Sequence, residues 1–233
     1  MKRAAEIDRA LERHGADAAA GPALDRILGA LAREPDPHTT VDPLAAVDVH
    51  VADSLAGLVV PELRAAESIA DVGAGAGFPG LVLAAVLAHA RVDLIEATGR
   101  KAAVIARLIE AGGLTNAHAV AARAEDWGGG ERRESYGAVT ARAVAPLAVL
   151  AEYAAPLLAP GGVLVAWKGR REPEEEAGGT AAAAQLGLGP PEVLPVTPYP
   201  GSRNRHLYVF RKVGPTPEGY PRRAGVASKR PLG

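Results

Sequence analysis

Asp71–Val72–Gly73–Ala74–Gly75–Ala76–Gly77–Phe78–Pro79–Gly80 is the stretch on which the fold turns. It begins inside Ser68–Ile69–Ala70–Asp71–Val72, a short apolar run of buried-strand type, and leads into an apolar segment, 78–89, that reads as a helix. Three alternating glycines between strand and helix let the backbone turn sharply and let a ligand approach main-chain atoms with no Cβ in the way. A G-x-G-x-G pattern is weak on its own, because a tight turn with no ligand uses the same residues. Its position between a strand and a helix raises its value.

Outward from that loop the chain keeps the same rhythm. Strands are expected at 91–96, 117–122, 137–141 and 162–167, with helices at 99–111, after the fourth strand through Tyr153, and at 174–186. Two further strand-like runs, 192–196 and 206–211, flank a turn around Gly201 and suggest one antiparallel member at an edge. Seven strands alternating with helices in this way predict an α/β fold with a mostly parallel sheet covered on both faces. Upstream, Leu24, Ile27, Leu28 and Leu31 recur at helical spacing, Pro35–Asp36–Pro37 ends that helix, and another is expected over 43–58. Residues 1–60 are therefore expected to form a helical cap, 61–213 a Rossmann-like core and 214–233 a basic tail. Segments 128–135 and 214–233 read as mobile.

Composition narrows the chemistry. The 233 residues include no cysteine, which removes disulfides, thiolate metal sites and cysteine nucleophiles. No His or carboxylate spacing suggests a metal site. No signal-peptide core follows the N-terminus, and the longest apolar run, 81–88, is far shorter than the roughly 20 residues a bilayer requires. A cytoplasmic protein with no membrane partner, acting as a monomer, is expected. The net charge of −1 hides an asymmetry: eight basic residues and one acid lie beyond residue 198, against 18 basic and 26 acidic before it. A basic end on an acidic body suggests a polyanionic partner. A solvated tail would have the same composition.

The acids name a ligand class. Asp71, Glu96 and Glu125 stand at or just beyond the ends of three successive strands, on the carboxyl edge where open α/β sheets bind ligands. An anion beside a pyrophosphate is unfavourable, and dinucleotide loops usually read G-x-G-x-x-G. The sulfonium and ammonium of S-adenosylmethionine suit Asp71 better. Glu96 is placed to accept ribose hydroxyls, and Ala124–Glu125–Asp126 to read an adenine edge. Each acid also has a plain structural reading, as a solvated strand end or as a helix N-cap at Asp126.

At these residues the chain resembles the bacterial 16S ribosomal RNA guanine-N7 methyltransferases, also called glucose-inhibited division protein B. The matching pieces are His50–Val51–Ala52–Asp53–Ser54–Leu55, the glycine loop with its Phe-Pro-Gly ending, Glu96 with Gly99–Arg100–Lys101, Ala124–Glu125, Ala141–Arg142–Ala143, Lys168–Gly169, Tyr220–Pro221–Arg222–Arg223–Ala224–Gly225, and Lys229–Arg230–Pro231–Leu232. The resemblance implies a class I S-adenosylmethionine-dependent methyltransferase fold with an N-terminal cap. It implies methylation of a guanine in the 530 loop of 16S rRNA, position 527 in standard rRNA numbering. It also implies cofactor contacts from Gly73, Phe78, Ala124, Glu125 and Arg142. Two departures stand out: Pro37–His38–Thr39–Thr40–Val41 replaces a more aromatic family segment, and the strand-two acid, usually Asp, is Glu96.

The residues agree with that chemistry. Methylation at a pyrimidine C5 needs a thiolate, and none exists. Exocyclic-amine methylation commonly uses an Asn/Asp-Pro-Pro-aromatic loop after strand four, where this chain has Ala141–Arg142–Ala143–Val144–Ala145–Pro146. Guanine N7 carries a free lone pair and needs no general base, so catalysis would rest on placement and exclusion of water. The expected cofactor site is Asp71, Gly73, Gly75, Gly77, Phe78, Glu96, Ala124, Glu125 and Arg142. Arg142, on the methionine carboxylate or the guanine O6, and Lys168, on RNA phosphate, are the expected catalytic pair. Arg203, Arg205, Arg222, Arg223, Lys229 and Arg230 are phosphate-contact candidates, and Tyr220 could stack on a base. His50 and Asp53 are expected to pair as a link between cap and core, and His206 to be structural. A noncatalytic RNA-binding protein with a vestigial cofactor fold and an NAD-dependent oxidoreductase remain as rival readings.

Overall fold

In the computed structural model, which describes residues 2–233, the N-terminal layer holds α1 (Lys2–Arg13), α2 (Gly21–Leu31) and a run of changing helical pitch. That run is 3-10 over Pro43–Ala45, π over Val47–Ala52, α over Asp53–Leu55 (α3) and 3-10 over Ala56–Val59. The single helix expected at 43–58 is thus replaced by four short pieces, and α4 (Pro61–Ala65) leads to the sheet. The core then alternates: β1 (Ser68–Val72), α5 (Gly80–Val86), β2 (Arg91–Glu96), α6 (Gly99–Gly112), β3 (Ala117–Ala121), α7 (Ala124–Gly128), β4 (Tyr136–Arg142), α8 (Leu147–Ala154), β5 (Leu158–Lys168), α9 (Pro173–Gln185), β6 (Glu192–Pro195) and β7 (His206–Arg211). A last turn of helix, α10, spans Val226–Lys229.

The seven strands form one sheet in the order β3-β2-β1-β4-β5-β7-β6. All neighbours are parallel except β7, which runs antiparallel to both β5 and β6. The antiparallel strand therefore lies inside the sheet and β6 takes the edge, which corrects the expected edge position. Strand order reverses between β1 and β4, and the glycine loop opens at that switch point, where open α/β sheets bind their ligands.

Strand parity divides the core. Ile69, Val92, Leu94, Val163, Val165, Leu207 and Val209 face one side, with α5, α6 and the N-terminal helices. Ala70, Val72, Ile95, Leu164, Ala166, Tyr208 and Phe210 face the other, with α8 and α9. This is the period-two alternation of a sheet buried on both faces.

The N-terminal layer shares the first core. Ile7, Leu11, Leu24 and Ile27 are buried together with Leu81 and Ile105. Gly112 lies so close to α2 that a Cβ there would stand 2.8 Å from Ile27 Cγ1. At the end of α6, Gly113 takes a left-handed conformation and the Leu114 amide reaches back to the Ile109 carbonyl at 3.1 Å, closing a Schellman turn. Arg26 from α2 donates to the last carbonyls, Ala111 and Gly112, at 3.1 and 2.7 Å.

Both segments read as mobile are tethered. Arg133 donates to the carbonyls of Tyr220 and Thr216 at 2.5 and 3.0 Å, and Thr216 and Ala227 are buried. No helix among the described residues is long and apolar enough to cross a membrane.

Candidate cofactor and RNA site

The helix expected at 78–89 begins only at Gly80, because residues 73–79 are consumed by the loop. The first three amides of the loop are bonded within the protein. Gly73 and Ala74 donate to the Ile95 carbonyl at 2.9 and 3.1 Å, and Gly75 donates to Glu96 Oε2 at 3.0 Å. Gly73 and Gly75 sit at φ +66° and +59°. A Cβ on Gly73 would meet Val144 Cγ2 at 2.8 Å, so the loop after β4 closes directly on the glycine loop. A Cβ on Gly75 would meet only the Gly73 carbonyl oxygen, 3.8 Å away.

These two loops form one side of a cleft of about 750 Å³ at the carboxyl edge of the sheet. Gly73, Gly75, Phe78, Glu96, Ala124 and Glu125 line it, with Arg142, Lys168 and Arg205. Glu96 ends β2 with Oε1 accepting from the Thr98 amide at 2.8 Å, which fixes its carboxylate at the cleft wall.

Asp71 and Gly77 do not line the cleft, contrary to expectation. Parity aims Asp71 into the sheet face below α5, where it is 1% exposed. Oδ2 accepts from the Gly80 amide at 2.9 Å and Oδ1 from Thr140 Oγ1 at 2.8 Å. Burial pushes its carboxyl up to about 6, against the opposing pull of these two hydrogen bonds and the Arg142 charge. Asp71 therefore organises the start of α5 rather than facing a ligand. Gly77, at φ +96°, is required because a Cβ would fall 2.9 Å from Leu81 Cγ.

The expected His50–Asp53 pair is also replaced. Asp53 sits between two guanidiniums. Arg142 Nη1 is 3.0 Å from Oδ2, while Arg205 Nε is 3.4 Å from Oδ1 and out of line for a hydrogen bond, and among the described residues neither Nε nor Oδ1 has a hydrogen-bond partner. Arg142 Nη1 also donates to the Val49 carbonyl at 2.8 Å. His50 stacks on Phe78 at a centroid distance of 4.2 Å and an interplanar angle of 11°. Burial, then the Arg142 charge, lowers the imidazole to about 4, so the ring is neutral at pH 7. These contacts do join the cap to the core, through different partners from those read in the sequence.

The other cations divide sharply. Lys168 Nζ lies 2.6 Å from Glu175 Oε1 and 3.4 Å from the Ala145 carbonyl. Arg222 turns inward: its Nε donates to Glu152 Oε1 at 2.7 Å, its Nη2 bonds Glu152 Oε2, and Glu152 is fully buried. That geometry corrects its reading as a phosphate contact. Tyr220 packs against the second core. Arg203, Arg223, Lys229 and Arg230 are exposed. His206 Nδ1 lies 2.8 Å from the Gly169 carbonyl, a structural contact as expected.

Sequence reasoning overlooked several cleft residues. Lys101 and Arg123 add positive charge, and Tyr153 and Trp167 add aromatic walls. Trp167 Nε1 donates to the Asp53 carbonyl at 2.8 Å. Position just past a strand end marks Arg123 in the sequence, whereas nothing local marks Tyr153, which reaches the cleft from α8. The divergent segment also borders the cleft, through His38, Thr39 and Val41. Among the described residues there is no cluster of three metal-ligating side chains.

A family model described as GidB, rRNA small subunit methyltransferase G, matches residues 39–197. The chain belongs to this family. A ribosomal RNA small subunit methyltransferase G of Pelotomaculum thermopropionicum is 46% identical over 185 residues, covering 78% of this chain and 77% of the relative. One from Rubrobacter xylanophilus is 45% identical over 197 residues, covering 83% and 76%. Among solved structures, an O-methyltransferase from Bacillus cereus in complex with SAH superposes with a TM-score of 0.57 at 18% identity, covering 82% of this chain and 90% of that one. A predicted O-methyltransferase from Agrobacterium tumefaciens gives 0.55 at 26% identity, covering 70% and 81%. At such identities the superpositions speak for the class I methyltransferase fold, and membership of the family rests on the sequence matches.

Proposed function

We propose that the protein is an S-adenosylmethionine-dependent methyltransferase that modifies guanine N7 in the 530 loop of 16S rRNA, at position 527 in standard rRNA numbering. The observation that carries the reading is the cleft at the β1–β4 switch point, where a glycine loop, two carboxylates and a rim of cations meet.

The residues present suit that cofactor. Gly75 leaves room for close approach to the loop, since a Cβ there would project into nearly open space. Glu96 offers carboxylate lone pairs at the end of β2 for a ribose, and the Ala124 amide and Glu125 carboxylate stand at the start of α7 for an adenine edge. Arg142 supplies a guanidinium for a carboxylate or a guanine O6. When bound, S-adenosylmethionine supplies an electrophilic methyl group that a guanine N7 lone pair takes without prior deprotonation.

The protein's part is then placement and exclusion of water. His50 and Phe78 form a flat apolar wall, and His50, neutral, adds no charge to repel a cationic ligand. Arg203, Arg205, Lys168, Arg223, Lys229 and Arg230 are assigned to RNA phosphates, the substrate being 16S rRNA or the 30S subunit that contains it, bound by a monomer. Residues 1–60 act in this scheme as a cap on one side of the cleft, 61–213 as the cofactor-binding core and 214–233 as the tail.

Calorimetry with S-adenosylhomocysteine and with NAD tests the cofactor assignment. Binding of the first and not the second is expected, and binding of NAD alone overturns it.

A further inference from the structure

The basic C-terminal segment supplies no residue to the cleft wall but packs behind it, on Glu125, which does line it. It leaves β7, is held by Arg133 through the Thr216 and Tyr220 carbonyls, and then crosses α8. There Arg222 meets Glu152 in a two-pronged ion pair and also donates to the Arg230 carbonyl at 2.9 Å, bracing the segment on itself. Glu152 is fully buried, so its charge is tolerated only because Arg222 is there. Three residues on, Gly225, at φ +80°, directs its amide at Glu125 Oε1, 2.8 Å away. Ala227 is buried in α10, and the Ser228 hydroxyl donates to the Gly225 carbonyl at 3.2 Å; Tyr153 is the neighbour of Glu152 on α8. Glu125 and Tyr153 both line the cleft.

We propose that the C-terminal segment is part of the cofactor site: Arg222, latched on Glu152, is a positioning residue that holds the Gly225 amide on Glu125 and thereby sets the protein's preference for an adenine base. The inference rests on the cofactor reading above. A carboxylate has two oxygens, and the Gly225 amide takes one of them. The other, Oε2, accepts from no protein donor among the described residues. With Oε1 fixed, Oε2 is presented at a constant orientation to an exocyclic amine. Freed from Gly225, the same carboxylate turns about its side chain and its discrimination is lost. A site built to accept from an amine rejects an analogue that carries a carbonyl there.

The test compares S-adenosylhomocysteine with S-inosylhomocysteine, which has a carbonyl in place of the amine. Dissociation constants are measured by calorimetry on the full chain as wild type, Arg222→Gln and Gly225→Pro. Gly225→Pro removes the amide donor and the positive φ while leaving the Arg222–Glu152 pair untouched, so it remains informative if Arg222→Gln fails to fold. The wild type is expected to favour the adenosyl compound, and the preference is expected to fall about tenfold in each folded variant. A uniform loss of stability would weaken both compounds alike. An unchanged preference in Gly225→Pro overturns the inference, as does a variant impaired only in RNA binding. A wild type that binds neither nucleoside removes the cofactor reading itself, and the inference with it.

Discussion

Arg142 at the end of β4 and Asp53 in the N-terminal layer meet at 3.0 Å, with both side chains at most 15% exposed. Through this contact the floor of the cleft and its cap are joined by a charge pair, and the loop that packs on Gly73 begins one residue beyond it. Such pairs add little net stability when intact, but removing one partner strands the other charge in a poorly solvated place.

Asp53→Asn is accordingly expected to lower unfolding stability by about 3 kcal/mol in urea titrations. Arg142→Lys is expected to recover part of an Arg142→Ala loss, since one nitrogen, Nη1, makes the bonds to both Asp53 and the Val49 carbonyl, and a single ammonium has donors enough for both. A change of under about 1 kcal/mol in Asp53→Asn, the value of an exposed pair, would contradict this role.

The two glycines of the loop should separate folding from binding. Gly73→Ala places a Cβ 2.8 Å from Val144 at φ +66° and is expected to lower the melting temperature clearly. Gly75→Ala carries only the strain of φ +59°, about 1 to 2 kcal/mol. Its larger effect is expected in cofactor affinity, because its Cβ would enter the cleft. Equal losses of stability in the two variants, with affinity unaltered in Gly75→Ala, would count against the cradle.

Two buried groups titrate in opposite senses. Asp71, raised from 3.8 to about 6, binds its proton more tightly when folded, so the stability it contributes is present below pH 3.8 and is lost as pH rises through 6. His50, lowered from 6.5 to about 4, contributes stability above pH 6.5 that is lost as pH falls through 4. The side-chain amide introduced by Asp71→Asn would keep both hydrogen bonds, its oxygen accepting from the Gly80 amide and its nitrogen donating to the Thr140 hydroxyl. Asp71→Asn should therefore gain on the wild type between pH 4 and 6 in denaturant titrations. His50→Phe, which keeps a ring for Phe78 to stack on, should gain as pH falls over the same range. Parallel pH profiles in all three proteins would contradict the assignments.

Exposed tail and loop cations should behave unlike Arg222. Arg203→Ala with Arg223→Ala is expected to weaken RNA binding and to reduce the salt slope by about 0.7 per lost single-strand phosphate contact, with S-adenosylhomocysteine affinity unchanged. A salt slope equal to that of the wild type would remove these residues from the RNA interface.

The sheet and the glycine loop were readable because their signals are local. The five-residue run at 68–72 matches β1 residue for residue, and Gly73 and Gly75, read as allowing a sharp turn, take positive φ there. What the sequence hid is set by partners distant in the chain. Asp71 looks like a ligand residue until Thr140 on a neighbouring strand and Gly80 on the next helix take both its oxygens. Arg222 has the composition of a phosphate contact, and only the fold brings it to Glu152, 70 residues away. The inside position of β7 follows from pairing with β5 past the intervening α9 and β6, which no hydrophobic period encodes.

The most direct measurement incubates the protein with methyl-labelled S-adenosylmethionine and small ribosomal subunits that lack the modification, then maps the label by N7-specific strand cleavage. The account predicts close to one methyl group per particle, on N7 of a single guanine in the 530 loop. Label on a carbon or exocyclic amine, or no transfer from a protein that binds the cofactor, would contradict it.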